Sequence, residues 1–249
     1  MGRILPYLDT INELKFREKQ MDKILLMLQL QAQLNDSTNG EDWTKGVTKN
    51  GKTINWRRCI YMECAEMVDS FSWKHWKSIN KEPDWDNLQI EVVDVWHFIM
   101  SLAIENYSLN FKGGIEDLAI NISELPSFST IDTQNSSFGV QDRVIEKVEN
   151  IIRLSLEEGE LKLEEMLSQF FDLALMSALN LETLYRLYVG KNILNQFRQD
   201  NGYKDGSYIK VWDGEEDNVV MKRVWEENGD IKPEQLYKEL AKAYFAFNK

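Results

Sequence analysis

Apolar positions recur every three to four residues along most of the chain, which is the spacing that lines one face of an α-helix. The predicted helices cover residues 7–35, 57–77, 84 or 86 to 107, 115–122, 140–156, 161–179, 182–199 and 233 onward. Asp84 or Asp86 is expected to cap the third of these helices. Alternating patterns typical of strands are nearly absent, so the sequence predicts an all-α fold.

Three stretches interrupt the helical pattern. Residues 40–55 contain Gly46 and Gly51 among polar residues and are predicted to form a loop or a short hairpin. Residues around Pro126 are rich in Ser and Thr, which is typical of a linker. Residues 203–217 are rich in turn-forming residues and are predicted to lead towards the last helix.

Length and composition indicate one domain over residues 1–249. A chain of 249 residues can bury one sizeable core and a smaller lid, but not several modules. Apolar residues make up 43% and charged residues 28%, which excludes disordered and fibrous classes. The formal net charge of -12 argues against nucleic acid or a membrane as partner. A small phosphate ligand stays possible, because local cations or metal ions suffice to bind it.

The sequence also predicts a cytoplasmic location. Cys59 and Cys64 lie five residues apart in one predicted helix, where their side chains diverge too far for a disulfide. Charged residues interrupt the apolar ones near the N-terminus, so we expect no signal peptide. The longest uncharged apolar-leaning stretch, residues 24–35, is too short to span a bilayer.

Two pairs of acidic residues carry the strongest chemical indication. Glu63 and Glu66 lie three residues apart in one predicted helix, and Glu91 and Asp94 lie three apart in the next. This spacing puts both members of a pair on one helix face, and apolar neighbours place both faces beside the core. Four converging carboxylates repel one another unless cations lie between them. Magnesium fits, because it prefers oxygen ligands and keeps positions open for water and phosphates.

A magnesium site of this kind suits phosphate hydrolysis. The ions polarise phosphoryl oxygens and neutralise the leaving group, and a carboxylate that stays free accepts the proton of the attacking water. Two other interpretations stay open. Each pair can form ordinary ion pairs on a solvated helix face. Alternatively the acids can bind iron, although only Asp94 and His97 have a matching carboxylate-to-histidine spacing.

A cationic helix face is the candidate phosphate site. Lys191, Asn195 and Arg198 recur at i, i+4 and i+7, which places two cations and an amide on one face. Lys204 follows in a glycine-flanked turn, where backbone N–H groups also approach anions. The alternative is a solvated last helical turn in which the helix dipole favours cations.

Amide and aromatic residues are the candidates for binding a base. Gln31 and Asn35, at i and i+4, offer paired donors and acceptors that can read a pyrimidine edge, although surface polarity explains them as well. Trp76 belongs to an aromatic group that can stack on a base or form part of the core. For His75 and His97 we expect hydrogen-bonded structural roles in preference to metal ligation.

Five ordered blocks within residues 31–208 give the sequence a family likeness. They are QAQLND at 31–36, WRRCIYMECAE at 56–66, WKHW at 73–76, EVVDVWH at 91–97, and the segment from GKNILN at 190–195 through Tyr208. In these blocks the chain resembles the dimeric all-α dUTP pyrophosphatases, which are related to the MazG-like nucleotide pyrophosphohydrolases. Residues 1–23 and 109–140 match no block and are assigned no role.

The resemblance implies a homodimer that hydrolyses dUTP, and also dUDP, to dUMP, with a helical core and a smaller mobile helical part that closes over the nucleotide. It implies two or three Mg²⁺ ions per site, bound by Glu63, Glu66, Glu91 and Asp94, with Glu66 orienting the attacking water. The substrate contacts that it implies are Gln31 and Asn35 for uracil or sugar, Trp76 for the pocket wall, and Lys191, Asn195, Arg198 and Lys204 for the phosphates.

Two alternatives to dUTP hydrolysis stay open at this point. Related hydrolases that prefer dCTP or modified nucleotides keep the acidic residues and change the base pocket. A nucleotide sensor without turnover would keep the site and signal through closure of its mobile part.

Overall fold

The computed structural model describes residues 5–77, 82–133, 135–228 and 231–247. The helices within these ranges are α1 (Leu5–Asn39), α2 (Trp56–Asp69), α3 (Trp85–Leu109), α4 (Ile115–Ser123), α5 (Pro126–Thr133), α6 (Gln141–Leu156), α7 (Leu163–Met176), α8 (Leu181–Asp200), α9 (Asp217–Asn228) and α10 (Pro233–Phe247). Strands β1 (Val211–Trp212) and β2 (Glu215–Glu216) pair antiparallel in one small hairpin. The all-α prediction is confirmed.

Side-chain caps set the start of the three helices that carry most of the predicted site. Asn55 precedes α2 and Asp84 precedes α3, and each side chain accepts a hydrogen bond from the backbone N–H three residues later. Asn180 and Thr183 form a reciprocal capping box at the start of α8. Each cap satisfies an N–H group that the helix itself leaves without a partner, and Asp84 is thereby confirmed as one of the two expected caps.

The predicted extension of α2 to residue 77 is wrong, because the helix ends at Asp69. The carboxylate of Asp69 accepts hydrogen bonds from Trp73 Nε1 at 2.9 Å and Lys74 Nζ at 2.8 Å. The carbonyl of Ser70 accepts a hydrogen bond from the backbone N–H of Asp84 at 2.8 Å. These contacts turn the chain back towards α3, and apolar spacing beyond residue 69 does not reveal them.

The linker predicted around Pro126 is also wrong, because this stretch forms α5. Pro126 is the first residue of the helix, where its missing N–H costs nothing. Phe128 and Ile131, three residues apart, are both fully buried. The buried face, rather than the Ser and Thr content, decides the structure here.

The helix predicted over residues 161–179 ends early, at Met176. The hydroxyl of Ser177 donates a hydrogen bond back to the carbonyl of Leu173 at 2.9 Å. Ala178 then adopts a left-handed conformation with φ 58°, which no continuing α-helix contains. The chain therefore turns before α8 begins.

Helix α9 was not predicted. Its residues follow the β1–β2 hairpin directly, and its first residue, Asp217, is buried together with Val220 and Met221. The pattern Val220, Met221 and Val224 has helical spacing and would have indicated the helix. This omission matters because α9 contributes to the site described below.

The buried apolar residues form two clusters. The main cluster draws on α1 to α8, where Trp96 of α3 stacks on Phe170 of α7 with ring centroids 4.7 Å apart. The C-terminal cluster joins the end of α8 to β1, α9 and α10, and its members include Leu194, Phe197, Tyr208, Trp212, Val220, Met221, Leu236, Leu240 and Tyr244. Whether residues 1–249 act as one domain with a mobile part stays a prediction.

Helices α8 and α9 approach each other closely at Gly190. A Cβ atom at this position would lie 2.6 Å from Met221 Sδ and 3.3 Å from the ring of Trp225. Real Cβ contacts are longer than 2.6 Å, so a side chain here would have to displace the thioether of Met221. The missing side chain therefore leaves room for Met221 and Trp225 of α9 against α8, next to Lys191.

The connection between α1 and α2 contains the predicted hairpin. A short 3-10 helix (Glu41–Lys45) leads into a reversal that is closed by an isolated antiparallel bridge between Val47 and Thr53. Over the part of the chain that is described, no helix is long and apolar enough to cross a membrane.

Candidate active site

A cleft of about 1280 Å³ opens between α1, α2, α3, the hairpin at 47–53, α8 and the start of α9. All predicted site residues except Trp76 and Lys204 line it: Gln31, Asn35, Glu63, Glu66, Glu91, Asp94, Lys191, Asn195 and Arg198. One wall, from α2 and α3, is acidic. The facing wall, from α8 and α9, carries the cations.

Three of the four predicted acids meet on the acidic wall. Glu63 and Glu66 of α2 and Glu91 of α3 each offer a carboxylate oxygen, and these oxygens all lie within 4.8 Å of one another. Glu63 and Glu91 are half-buried, whereas Glu66 is exposed to the cleft. The i,i+3 spacing on α2 and the packing of α2 against α3 produce this meeting.

Crowding and burial change the protonation of two of these acids. Burial, then the nearby charge of Asp94, raises the pKa of Glu63 to about 7. The same two causes raise the pKa of Glu91 to about 8. The acidic wall therefore carries more negative charge than its surroundings stabilise, and a cation placed between the oxygens would relieve that repulsion.

Asp94, the fourth acid, pairs with the cationic wall. Its carboxylate accepts a hydrogen bond from Lys191 Nζ at 2.8 Å, and the lysine side chain is 3% exposed. Lys191 Nζ also donates to Asn218 Oδ1 of α9 at 2.9 Å. Lys191 thus joins the two walls, and its charge lowers the pKa of both Glu63 and Glu91, although it offsets only part of the rise.

Arg198 is held from behind by Asp217. Arg198 Nε donates to Asp217 Oδ2 at 2.8 Å and Nη2 donates to Oδ1 at 2.7 Å, which is a bidentate pair. Arg198 Nη1 donates to Asn195 Oδ1 at 3.1 Å. Lys191 and Arg198, the two cations of the predicted helix face, are therefore both paired with acids and fixed in place.

A buried network fixes the two amides on α1. Gln31 Nε2 donates to Asn35 Oδ1 at 3.2 Å and to Ser101 Oγ at 3.0 Å, and Asn35 Nδ2 also donates to Ser101 Oγ at 2.9 Å. Gln31 Oε1 faces His97 Nδ1 at 2.6 Å and the hydroxyl of Tyr188 at 3.2 Å. Gln31 is therefore saturated by protein contacts, whereas Asn35 keeps one donor and one acceptor position that no described residue occupies.

The same network determines which ring nitrogen of His97 carries the proton. Since Gln31 Oε1 accepts, the proton lies on His97 Nδ1. Burial lowers the pKa of His97 to about 4, so the ring is neutral at physiological pH. Among the described residues, Nε2 has no hydrogen-bond partner. The contact with Gln31 agrees with the hydrogen-bonded role expected for this histidine.

A family model described as dUTPase matches residues 23–203. The chain belongs to the all-α dUTPase family. It hydrolyses dUTP, which is the activity of a dUTP diphosphatase. A comparison with curated proteins found no match.

Trp76 and Lys204 are not among the residues that line the cleft, although Lys204 contacts the lining residue Thr38. Trp76 is 65% exposed and packs edge-on against Trp73 and His75. Lys204 is exposed, and its Nζ donates to the carbonyl of Thr38 at 2.6 Å, tying the turn after α8 to the end of α1. Their assignments as pocket wall and phosphate contact stay predictions that the cleft geometry of this chain does not itself support.

Sequence reasoning missed Asn218, which lines the cleft, and Asp217, which is buried behind the cleft wall. Both lie beyond the matched range, at the start of the unpredicted helix α9. Lys52, Arg58 and Lys210 also line the cleft. The first two belong to the hairpin and the start of α2, where only spatial proximity, and no spacing in the sequence, relates them to the acids.

Proposed function

We propose that this dUTPase hydrolyses dUTP, and also dUDP, to dUMP in a magnesium-dependent reaction within the described cleft. The observation that carries the proposal is the meeting of Glu63, Glu66 and Glu91, whose oxygens lie within 4.8 Å of one another. Burial, followed by the nearby charge of Asp94 and of the other acids, raises the pKa of Glu63 to about 7 and of Glu91 to about 8. Carboxylates held in this way favour a divalent cation over a proton once pH exceeds these values.

The donor set fits magnesium. Every candidate ligand is a carboxylate oxygen, which is the ligand type that Mg²⁺ prefers, and the soft sulfur and imidazole ligands of other metals are not part of the cluster. Glu63, Glu66, Glu91 and Asp94 would hold two or three ions. When bound, these ions neutralise the acids and polarise the phosphate chain and water.

Glu66 is the proposed proton acceptor. It is the exposed member of the cluster and faces the cleft, whereas Glu63 and Glu91 are half-buried. An exposed carboxylate at this place can orient a water molecule and take its proton. Glu63 and Glu91, which are held more rigidly by burial between α2 and α3, serve better as fixed ligands.

The cationic wall is proposed to bind the phosphate chain. Lys191, Asn195 and Arg198 line the cleft opposite the acids, and Lys191 lies 2.8 Å from Asp94 at the boundary between both walls. A nucleotide whose phosphates lie along this wall would bring its reacting phosphorus to the acidic wall. Fixed donors at such a site lose little conformational entropy when the anion binds.

The base is proposed to lie towards α1. Asn35 is 4% exposed, lines the cleft, and keeps one donor and one acceptor for a pyrimidine edge. Gln31 orients that amide through its own hydrogen bond, so its proposed role is to hold Asn35 in place as well as to border the base. Uracil as the preferred base rests on the family, and dCTP is the competing substrate.

One assay tests the proposal. The purified protein is incubated with dUTP, dUDP, dCTP, dTTP and UTP, with magnesium or with EDTA, and product release is measured. We expect dUTP and dUDP to be hydrolysed only with magnesium, and faster than the other nucleotides. Equal rates for dUTP and dCTP would contradict the uracil preference, and full activity in EDTA would contradict the metal requirement.

We further propose that the enzyme is a cytoplasmic homodimer whose smaller helical part moves on nucleotide binding. The family likeness supports the dimer and the motion, and the free thiols of Cys59 and Cys64 are compatible with a reducing compartment. Light scattering on the purified protein tests the dimer, since a mass of one chain at micromolar concentration would contradict it.

A further inference from the structure

The carboxylate of Asp217 is buried directly behind Arg198. Asp217 is the first residue of α9 and is 1% exposed. Besides the two hydrogen bonds from Arg198, its Oδ2 accepts one from the hydroxyl of Tyr208 at 2.8 Å. Both oxygens are therefore engaged, and the carboxylate has a single orientation.

Asp217 contacts the cleft only through Arg198. Arg198 lines the cleft, whereas Asp217 does not. The bidentate pair uses the Nε and Nη2 edge of the guanidinium, and Asn195 takes one of the two Nη1 hydrogens. The remaining Nη1 hydrogen has no acceptor among the described residues, so it is the donor available to a ligand.

The neighbouring residue, Asn218, contacts both cations of α8, Lys191 and Arg198. Its Oδ1 lies 2.9 Å from Lys191 Nζ and 3.4 Å from Arg198 Nη2, and both contacts are donations to Asn218. The first two residues of α9 thus contact every cation that α8 presents to the cleft. The helix itself is anchored by the C-terminal cluster, since Val220 and Met221 are both buried there.

We propose that Asp217 is a positioning residue for substrate binding, which holds the guanidinium of Arg198 so that its Nη1 edge faces the phosphate chain of the nucleotide. The inference rests on the proposed phosphate role of Arg198. A buried ion pair is a poor way to add stability alone, because apolar residues of the same volume serve as well or better. Its advantage here is a fixed orientation of the cation at the cleft wall.

The test is a double-mutant cycle on KM and kcat for dUTP. Asp217→Asn keeps the shape but weakens the clamp, and Arg198→Gln removes the clamped group. We expect each single variant to raise KM about tenfold, which is the effect of one charge-assisted hydrogen bond, with kcat changed less than about threefold. The double variant should bind no worse than Arg198→Gln alone, because Asp217 acts through Arg198.

Tyr208→Phe is the matched control. It removes the third hydrogen bond to the same carboxylate and leaves the pair with Arg198 intact, so it should lower the melting temperature while KM stays close to that of the wild type. If Asp217→Asn does not fold, the double variant still decides, since it carries no unpaired buried charge. A double variant with KM well above that of Arg198→Gln would show an independent structural effect and overturn the proposal.

The outcomes separate this inference from the proposed function. If Arg198→Gln leaves KM unchanged, the phosphate role of Arg198 is wrong, and the positioning role falls with it. If Arg198→Gln raises KM and Asp217→Asn does not, the proposed function stands and only the positioning role is overturned. If the increases in KM multiply when the two substitutions are combined, the positioning role is overturned as well.

Discussion

The charged side chains of the two cleft walls differ in how far the protein itself neutralises them. On the cationic wall, each charge has a protein partner: Lys191 pairs with Asp94, and Arg198 pairs with Asp217 through two hydrogen bonds. On the acidic wall, Glu63, Glu66 and Glu91 crowd together with only partial help from Lys191. The cationic wall is neutralised by acids of the protein, whereas the acidic wall requires a cation bound from solution.

This difference indicates what each wall is built to do. A cation that is already paired and fixed can receive an anion without rearranging. Carboxylates whose pKa values are raised repel one another when they are ionised, and a bound metal ion reduces this repulsion. Substitutions that remove charge should therefore have opposite consequences on the two sides of the cleft.

The largest expected effect is on turnover. Glu66→Gln removes the proposed proton acceptor with little change of volume, so kcat for dUTP should fall by about 10³-fold, within the range known for general bases. Activity assays and a thermal melt measure the effect. Glu149→Gln, the same change at an exposed site on α6, is the control and should keep full activity. Near-normal turnover of Glu66→Gln would refute its role.

The contrast between the walls is tested by stability without metal at pH 8. Asp217→Asn leaves the charge of Arg198 buried without its partner and should cost about 3 kcal/mol of unfolding free energy. Glu63→Gln removes one of the crowded carboxylates and should raise the melting temperature. Denaturation of both variants in EDTA measures the two effects. If both substitutions change the stability in the same direction, the proposed contrast between the two walls is wrong.

Magnesium should act more strongly at high pH. The raised pKa values of Glu63 and Glu91, about 7 and about 8, mean that these two groups bind more protons in the folded protein than in the unfolded chain above pH about 4.5. Their contribution to metal-free stability should therefore fall as pH rises through this window up to about 8. Because the metal binds the ionised acids, its increase of the melting temperature should be larger at pH 8.5 than at pH 6. An equal increase at both pH values would contradict the assignment of the metal site.

The smallest expected effect is a shift of the pH–rate profile. Lys191 lowers the pKa of Glu63 and of Glu91, so Lys191→Gln should move the acidic limb of kcat/KM upward by about one pH unit. Lys147→Gln breaks a comparable pair with Asp172, 2.8 Å long and outside the cleft lining, and should leave the limb in place. If the acidic limb of kcat/KM stays in place in Lys191→Gln, this lysine does not influence the protonation of the acids, and the prediction is wrong.

Local spacing explains what the sequence could predict. The meeting of Glu63 and Glu66 follows from i,i+3 geometry on one helix, and the cation face of α8 follows from i, i+4 and i+7. Most helices were also predicted close to their observed bounds, since apolar periodicity is strong in them. The family likeness then brought the separate faces into one expected site.

The contacts that the sequence could not predict join distant residues. Ser101 is 70 residues from Gln31, and Asp217 is 19 residues from Arg198 across a hairpin. The pairing of Asp94 with Lys191, in place of a fourth position among the crowded acids, depends equally on how α3 and α8 pack. The early end of α2 depends on side-chain contacts of Asp69 that helical periodicity does not encode.

Gly190 lies where α8 and α9 meet, beside the lysine of the cationic wall. A methyl group there would lie 2.6 Å from Met221 Sδ and 3.3 Å from the ring of Trp225. The methionine side chain is flexible and can move aside, whereas the indole ring leaves less room. We therefore expect the methionine to absorb a small side chain at this position before the first residues of α9, which hold the two cations, are disturbed.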